Sequence, residues 1–132
     1  MSLRVLVTDG MDAGAVAQLR ADGFEIVEKF YEPNELGTAL KDFDAVIIRS
    51  ATKIKEPQID AAKGSQLKLI VRAGAGFNTI DIKYARKKNI DVMNTPGANS
   101  NAVAEEVIAL MLASARHVVA ADKSTRSEEH NV

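Results

Sequence analysis

The pair Arg49-Ser50 is the first candidate for chemistry in this sequence, because it directly follows an apolar run that ends at Ile48. A guanidinium at the end of a buried strand can bind a carboxylate or a phosphate through two parallel hydrogen bonds, and a neighbouring hydroxyl adds a donor. Two interpretations stay open from the spacing alone. One is an anion-binding loop, and the other is a solvated loop whose arginine pairs with a surface aspartate.

A second candidate is the stretch Arg72–Gly76, which lies between an apolar run and a helical pattern. Its two glycines would let the backbone approach a ligand, and the N–H groups of the following helix would favour an anion. A dinucleotide-binding G-x-G-x-x-G motif is rejected, since Thr79 occupies the third glycine position and Asn94 stands where an acidic residue would bind the ribose. The segment is interpreted as a small anion nest, with a tight strand-to-helix turn as the open alternative.

A third polar segment, residues 94–101, contains Asn99 and Ser100 ahead of a long helical pattern. Either side chain can cap that helix by accepting hydrogen bonds from its first free N–H groups, which is the simplest role for it. The two histidines, His117 and His130, have no metal-ligating neighbours at useful spacing. No metal site and no catalytic residue is therefore assigned.

An alternation of apolar runs and helical patterns positions these loops. Strands are predicted at residues 3–8, 24–28, 44–48, 67–71 and 90–93, and helices at 12–21, 33–41, 57–63, 79–88 and 101–119. Continuous apolar strands between helices predict an α/β fold, a flavodoxin-like doubly wound parallel five-stranded sheet with a long C-terminal helix. Thr79 or Asn78 is expected to cap the fourth helix. Ligands bind beyond the carboxyl ends of such strands, so loops 8–12, 49–55, 72–78 and 94–100 should form the site.

The predicted organisation is a substrate-binding α/β domain at residues 1–100, an interdomain or dimerisation helix at 101–121 and a polar, disordered tail at 122–132. The helix has two apolar faces, one through Ala104, Ile108, Met111 and Ala115 and one through Val103, Val107, Leu110 and Val118. A surface helix of a lone domain normally has one apolar stripe. We therefore expect a homodimer through this helix.

Composition narrows the class of protein. The 132 residues are 46% hydrophobic and 27% charged, which fits one soluble domain. A net charge of -1 gives no electrostatic attraction to nucleic acid or anionic lipid, and the longest apolar run, at residues 107–113, is too short to span a bilayer. The absence of cysteine excludes disulfides and suits a reducing cytosol. A cytoplasmic protein without nucleic-acid or membrane partners is expected.

A phosphoacceptor receiver domain shares the predicted architecture. That chemistry needs a carboxylate after the third strand and a lysine after the fifth, where this sequence has Arg49 and Asn94. Asp9 and Asp12, after the first strand, are the only feature in common. A receiver domain is therefore not favoured.

Taken together, the three loops resemble those of the D-2-hydroxyacid dehydrogenases. The resemblance covers residues 3 to about 118, and its motifs are Leu69–Asp81, Val92–Ser100, Val103–Glu105 and Ala115-Arg116. The pair Arg49-Ser50 and the start Arg72-Ala73-Gly74 are similar to the 3-phosphoglycerate dehydrogenases within that family.

The resemblance implies the substrate-binding domain of an NAD-dependent enzyme. The enzyme would transfer a hydride between NAD and a small anionic 2-hydroxy or 2-oxo acid. By the same resemblance, this substrate is phosphorylated and the reaction belongs to serine biosynthesis. By resemblance, Arg49 and Ser50 bind the phosphate-bearing end of the substrate and Arg72 lies beside them. Further substrate contacts are implied at the backbone of Ala75 and Gly76 and at Asn99, and Ala75 also matches a position near the nicotinamide.

The family's G-x-G-x-x-G fingerprint and its catalytic Arg, Glu and His belong to a second domain, and the sequence after residue 119 matches none of these motifs. We therefore expect this chain to bind no NAD by itself and to be inactive alone. Two alternatives stay open, a non-catalytic binding or dimerisation module and an unrelated flavodoxin-like signalling domain.

Overall fold

Five parallel strands form the sheet in the computed structural model, which describes residues 3–73 and 79–94 together with Glu105, Ile108, Ala109 and Met111. In chain order the elements are β1 (Arg4–Val7), α1 (Ala13–Ala21), β2 (Glu25–Glu28), α2 (Pro33–Leu40), β3 (Ala45–Ile48), α3 (Glu56–Ala61), β4 (Leu69–Arg72), α4 (Ile82–Lys87) and β5 (Asp91–Asn94). The strand order β2-β1-β3-β4-β5, with every pair parallel, confirms the predicted flavodoxin-like sheet.

The core consists of two layers, because successive side chains of a strand point to opposite faces of the sheet. One layer combines alternate residues of the central strands with α1, and its members include Val5, Val7, Val16, Leu19, Ile47 and Val71. The other combines the intervening residues with α2, α3 and α4, and its members include Leu6, Leu36, Val46, Ile59, Ile70 and Ala85. Every residue of β3 and β4 is buried, as expected for central strands covered on both faces.

Helix α1 begins and ends where local signals in the sequence predict. The Asp12 side chain caps it, accepting hydrogen bonds from the backbone N–H of Gly14 at 2.9 Å and of Ala15 at 3.3 Å. The chain leaves the helix through Gly23, whose φ of 95° a residue with a side chain rarely adopts. The Asp12 cap thereby sets where the β1–α1 loop ends and α1 begins.

Helix α4 begins at Ile82, three residues later than predicted. Its cap is Asp81, whose carboxylate accepts a hydrogen bond from the backbone N–H of Tyr84 at 3.1 Å. The expected cap at Thr79 is therefore wrong, and Asn78, the alternative, lies outside the described residues.

A short parallel bridge explains the later start. Ile54 pairs with Ile80: the N–H of Ile54 donates to the carbonyl of Thr79 at 2.8 Å, and the N–H of Asp81 donates to the carbonyl of Ile54 at 2.9 Å. These two bonds keep the chain extended up to Asp81. They also join the loop after β3 to the segment that precedes α4.

The C-terminal helix predicted at residues 101–121 is described at four residues, all of them helical. Met111 is 1% exposed in the core layer that contains α1, and Ile108 packs against that layer. Both lie on the face predicted to cover the sheet. The helix bounds and the 122–132 tail lie outside the described residues. Within the described part, no helix is long and apolar enough to cross a membrane.

Candidate functional site

The candidate site lies at the carboxyl edge of the sheet, where β1, β3 and β4 end side by side. Ile48 pairs in register with Arg72, so Arg49 leaves the sheet next to the end of β4. Arg49 and Ser50 are both exposed. Within residues 3–73 and 79–94 the Arg49 guanidinium forms no hydrogen bond or ion pair. An exposed guanidinium at this edge can form paired hydrogen bonds with an anion.

The carboxylate of Asp9 holds the loop that carries Arg49 and Ser50. One oxygen, Oδ2, accepts hydrogen bonds from the backbone N–H of Arg49 at 2.7 Å and of Thr52 at 3.1 Å. The other, Oδ1, accepts the hydroxyl of Thr52 at 2.5 Å. Thr52 is 3% exposed and Asp9 is half-buried, so water has only partial access to this contact. The end of β1 thus fixes the conformation of residues 49–52.

Arg72 forms part of the framework under this loop. It is 9% exposed, and its Nε donates a hydrogen bond to the hydroxyl of Thr79 at 3.1 Å. A buried cation needs such partners, because leaving water without them is costly. Thr79 also receives the Ile54 N–H through its carbonyl, so the ends of both loops are joined. A direct contact between Arg72 and a substrate stays a prediction.

Comparison with known proteins identifies the family. The family model described as D-isomer specific 2-hydroxyacid dehydrogenase, catalytic domain, matches residues 5–128. The chain belongs to this family. It is 40% identical to a hydroxypyruvate reductase of Thermotoga maritima over 124 residues, which are 93% of this chain and 40% of that protein.

Two further members of this dehydrogenase family extend the comparison. A D-3-phosphoglycerate dehydrogenase of Archaeoglobus fulgidus is 39% identical over 94% of this chain and 23% of its own length. The crystal structure of an NAD+-bound 3-phosphoglycerate dehydrogenase of Entamoeba histolytica superimposes with a TM-score of 0.61 at 36% identity, covering 84% of this chain and 38% of that one. The chain thus spans less than half the length of each of these relatives.

Three of the site residues predicted for this chain lie outside the described residues, namely Ala75, Gly76 and Asn99. Their substrate contacts, and the proximity of Ala75 to the nicotinamide, stay predictions. The strands that precede these residues end side by side, because Arg72 at the end of β4 pairs in register with Asn94 at the end of β5. Both loops therefore depart from the same edge of the sheet as Arg49.

The first strand-to-helix turn does not fit the pyrophosphate of NAD. In dinucleotide-binding folds that group lies against the free N–H groups at a helix N-terminus. Here the carboxylate of Asp12 already accepts hydrogen bonds from the N–H groups of Gly14 and Ala15, and it would repel a phosphate.

Among the described residues, no group of three or more acidic or histidine side chains could hold a metal ion.

Three residues at this edge were not predicted from the sequence. No role was assigned to Asp9, although an aspartate after β1, at the point where the strand order reverses, is a positional signal. The other two are Phe30 and Tyr31, which follow β2 and line a small cleft together with Ala51 and Thr52. Phe30 is 48% exposed, so an aromatic surface borders the loop that carries Arg49.

Proposed function

We propose that this chain is the substrate-binding part of an NAD-dependent D-2-hydroxyacid dehydrogenase with a phosphorylated substrate, as in D-3-phosphoglycerate dehydrogenase. The observation that supports this is the exposed guanidinium of Arg49 on a loop held by Asp9 at the carboxyl edge of the sheet. A second cation, Arg72, ends the neighbouring strand. Cations suit a phosphate, whereas an uncharged substituent at C3 would not need them.

The role of this chain in that enzyme is binding and orientation. NAD, held by a second domain, supplies the hydride chemistry. Arg49 and Ser50 hold the distal phosphate, while the backbone at Ala75 and Gly76 and the side chain of Asn99 border the remainder of the substrate. Proton transfer to and from the hydroxyl belongs to the second domain. We also propose the cytosol as its compartment and serine biosynthesis as its pathway.

Substrate preference tests the proposal. The complete enzyme would be assayed with NADH and three 2-oxo acids, namely phosphohydroxypyruvate, hydroxypyruvate and pyruvate. A charge-assisted contact to the phosphate predicts a kcat/KM that is about tenfold to a hundredfold higher for the phosphorylated acid. Equal values for phosphohydroxypyruvate and hydroxypyruvate would contradict a phosphate site. Reduction of none of the three would favour a non-catalytic binding module.

The 132-residue chain alone is expected to be inactive. Neither a G-x-G-x-x-G motif in its sequence nor a free helix N-terminus at the first turn provides a place for NAD. The test is NADH oxidation by the purified chain with phosphohydroxypyruvate, measured at 340 nm against the complete enzyme. Sustained turnover by the chain would show that it binds the cofactor unaided.

A further inference from the structure

We infer that Asp9 is a positioning residue for substrate binding, which fixes residues 49–52 so that Arg49 and Ser50 face the ligand. The inference deepens the proposed function and rests on it. Three donors converge on this one carboxylate: the N–H of Arg49, the N–H of Thr52 and the hydroxyl of Thr52. They surround Asp9 as backbone and side-chain donors surround a bound anion.

This arrangement determines what remains for the substrate. The N–H groups of Arg49 and Thr52 are used by Asp9, so they are not available to an incoming phosphate. The guanidinium of Arg49 and the exposed residue Ser50 remain. In the proposed site the phosphate is therefore bound by the guanidinium of Arg49, whose planar donor pair matches it, and not by backbone N–H groups.

Two substitutions of Asp9 separate its effect on the conformation of residues 49–52 from the effect of its negative charge. In Asp9→Asn the carboxamide oxygen can accept the two N–H groups, and its NH2 can donate to the hydroxyl oxygen of Thr52. The loop should then keep its conformation without the charge. In Asp9→Ala all three hydrogen bonds are lost, and formate can enter the space that the carboxylate leaves.

Asp12→Ala is the matched control. It removes a carboxylate from the same β1–α1 loop, together with two comparable hydrogen bonds, those from Gly14 and Ala15. Within the described residues, the Asp12 side chain forms no hydrogen bond with residues 49–52, so this variant reports the effect of weakening α1 without releasing that segment.

The first measurement uses the 132-residue chain and the backbone amide signals of Arg49 and Thr52 in 1H–15N spectra. Asp9→Ala should shift both signals upfield in the proton dimension and speed their hydrogen exchange about tenfold or more, since a charge-assisted hydrogen bond is lost. Formate should reverse the shift, Asp9→Asn should give signals between those of Asp9→Ala and the wild type, and Asp12→Ala should keep the signals of the wild type. Unchanged signals in Asp9→Ala would overturn the inference.

The second measurement uses the complete enzyme and its preferred 2-oxo acid. Asp9→Ala should raise KM about tenfold with kcat within twofold, because binding is lost and the hydride step is untouched. Asp9→Asn should restore KM to within threefold of the wild type, and Asp12→Ala should leave it unchanged. An unchanged KM in Asp9→Ala, or an equal rise in Asp12→Ala, would overturn the inference. Failure of the proposed function appears separately, as a wild-type enzyme that does not prefer the phosphorylated acid.

Discussion

At the scale of single residues, Arg49 carries the charge that the proposed site offers to its ligand. Arg49→Ala in the complete enzyme should raise KM for the phosphorylated substrate about tenfold to a hundredfold, since a charge-assisted contact contributes about 1.5–3 kcal/mol. Arg49→Lys should recover only part of this, because an ammonium cannot form the paired hydrogen bonds of a guanidinium. Steady-state kinetics with phosphohydroxypyruvate provides the measurement.

The control for Arg49 is Lys41→Ala, which also removes one exposed positive charge. Lys41 follows α2 and precedes β3, so it lies at the opposite, amino edge of the sheet. The KM of the Lys41→Ala variant should match that of the wild type. Equal kinetics of Arg49→Ala and Lys41→Ala would show that Arg49 is an ordinary surface residue.

Tyr84 gives a prediction for alkaline pH. Its hydroxyl donates a hydrogen bond to Oδ1 of Asp60. This bond first, and then burial and the negative charge of Asp60, raise the pKa of Tyr84 from 10.0 to about 12. The neutral phenol is the donor, so the folded chain retains a proton that the unfolded chain loses above pH 10. The free energy of unfolding should therefore fall as pH rises from 10 toward 12.

A Tyr31→Phe background makes this titration readable, because the chain has only two tyrosines. Tyrosinate absorbance at alkaline pH should then show a midpoint near 12 for Tyr84. Asp60→Ala should move the midpoint down toward 10.0, since it removes both the acceptor of this hydrogen bond and the negative charge. A midpoint near 10.0 with Asp60 intact would mean that the hydrogen bond does not form in solution.

The role of Asp9 shows which residue-level features the sequence cannot supply. Arg49 was selected because its neighbours mark a strand end, and strand ends are visible in a local apolar pattern. The bond between Asp9 and Arg49 joins residues 40 positions apart, and no periodicity records such a pairing. Arg72 was likewise placed correctly at a strand end, but its burial and its bond to Thr79 depend on how two loops meet.

At the scale of elements, local signals explain why most helices were predicted correctly and α4 was not. Asp12 caps α1 and Pro33 opens α2, and both act within one turn of the residue itself. The start of α4 depends instead on the bridge between Ile54 and Ile80, whose residues are 26 positions apart in the sequence. A helical pattern that begins at Thr79 is overridden by that contact.

Close packing of α2 on α3 makes Gly37 a testable position. A Cβ at Gly37 would collide with the Cβ of Ala61 and would lie 2.8 Å from the backbone carbonyl oxygen of Gln58. Gly37→Ala should therefore destabilise the fold by about 1–3 kcal/mol, as overpacking does. This would outweigh the gain of about 1 kcal/mol that alanine brings to a helix interior.

Thr38→Ala is the control for helix propensity, since Thr38 is the next residue of α2 and is exposed. It should be neutral or slightly stabilising. Urea unfolding of both variants against the wild type would give the two differences. A Gly37→Ala variant as stable as Thr38→Ala would show that α2 and α3 can move apart at little cost.

At the scale of the whole molecule, the strand order places the candidate site. The order β2-β1-β3-β4-β5 reverses between β1 and β3, so the chain leaves these two strands toward opposite sides and opens a crevice at their carboxyl ends. Asp9 after β1 and Arg49 after β3 border that crevice, which is why residues so distant in sequence meet there. The sequence predicted the topology, and with it the edge of the sheet that carries the site.

The C-terminal helix is expected to join two copies of the chain. Ile108 and Met111 pack on the sheet, whereas Glu105 and Ala109 are exposed. The helical pattern predicted from the sequence places a further apolar face between these two sides, through Val103, Val107, Leu110 and Val118. Burying such side chains contributes about 1.5–3 kcal/mol each, so this face should find a partner in a second copy of the chain.

Sedimentation velocity at micromolar concentration should therefore give twice the 14.2 kDa mass of the chain. Leu110→Glu should shift the protein to the monomer, because a charge would be placed in the apolar face. Ala109→Glu is the matched control, since that position is exposed and should accept a charge without loss of the dimer. A wild-type monomer of 14.2 kDa with ordinary thermal stability would show that the second face is already covered within one chain.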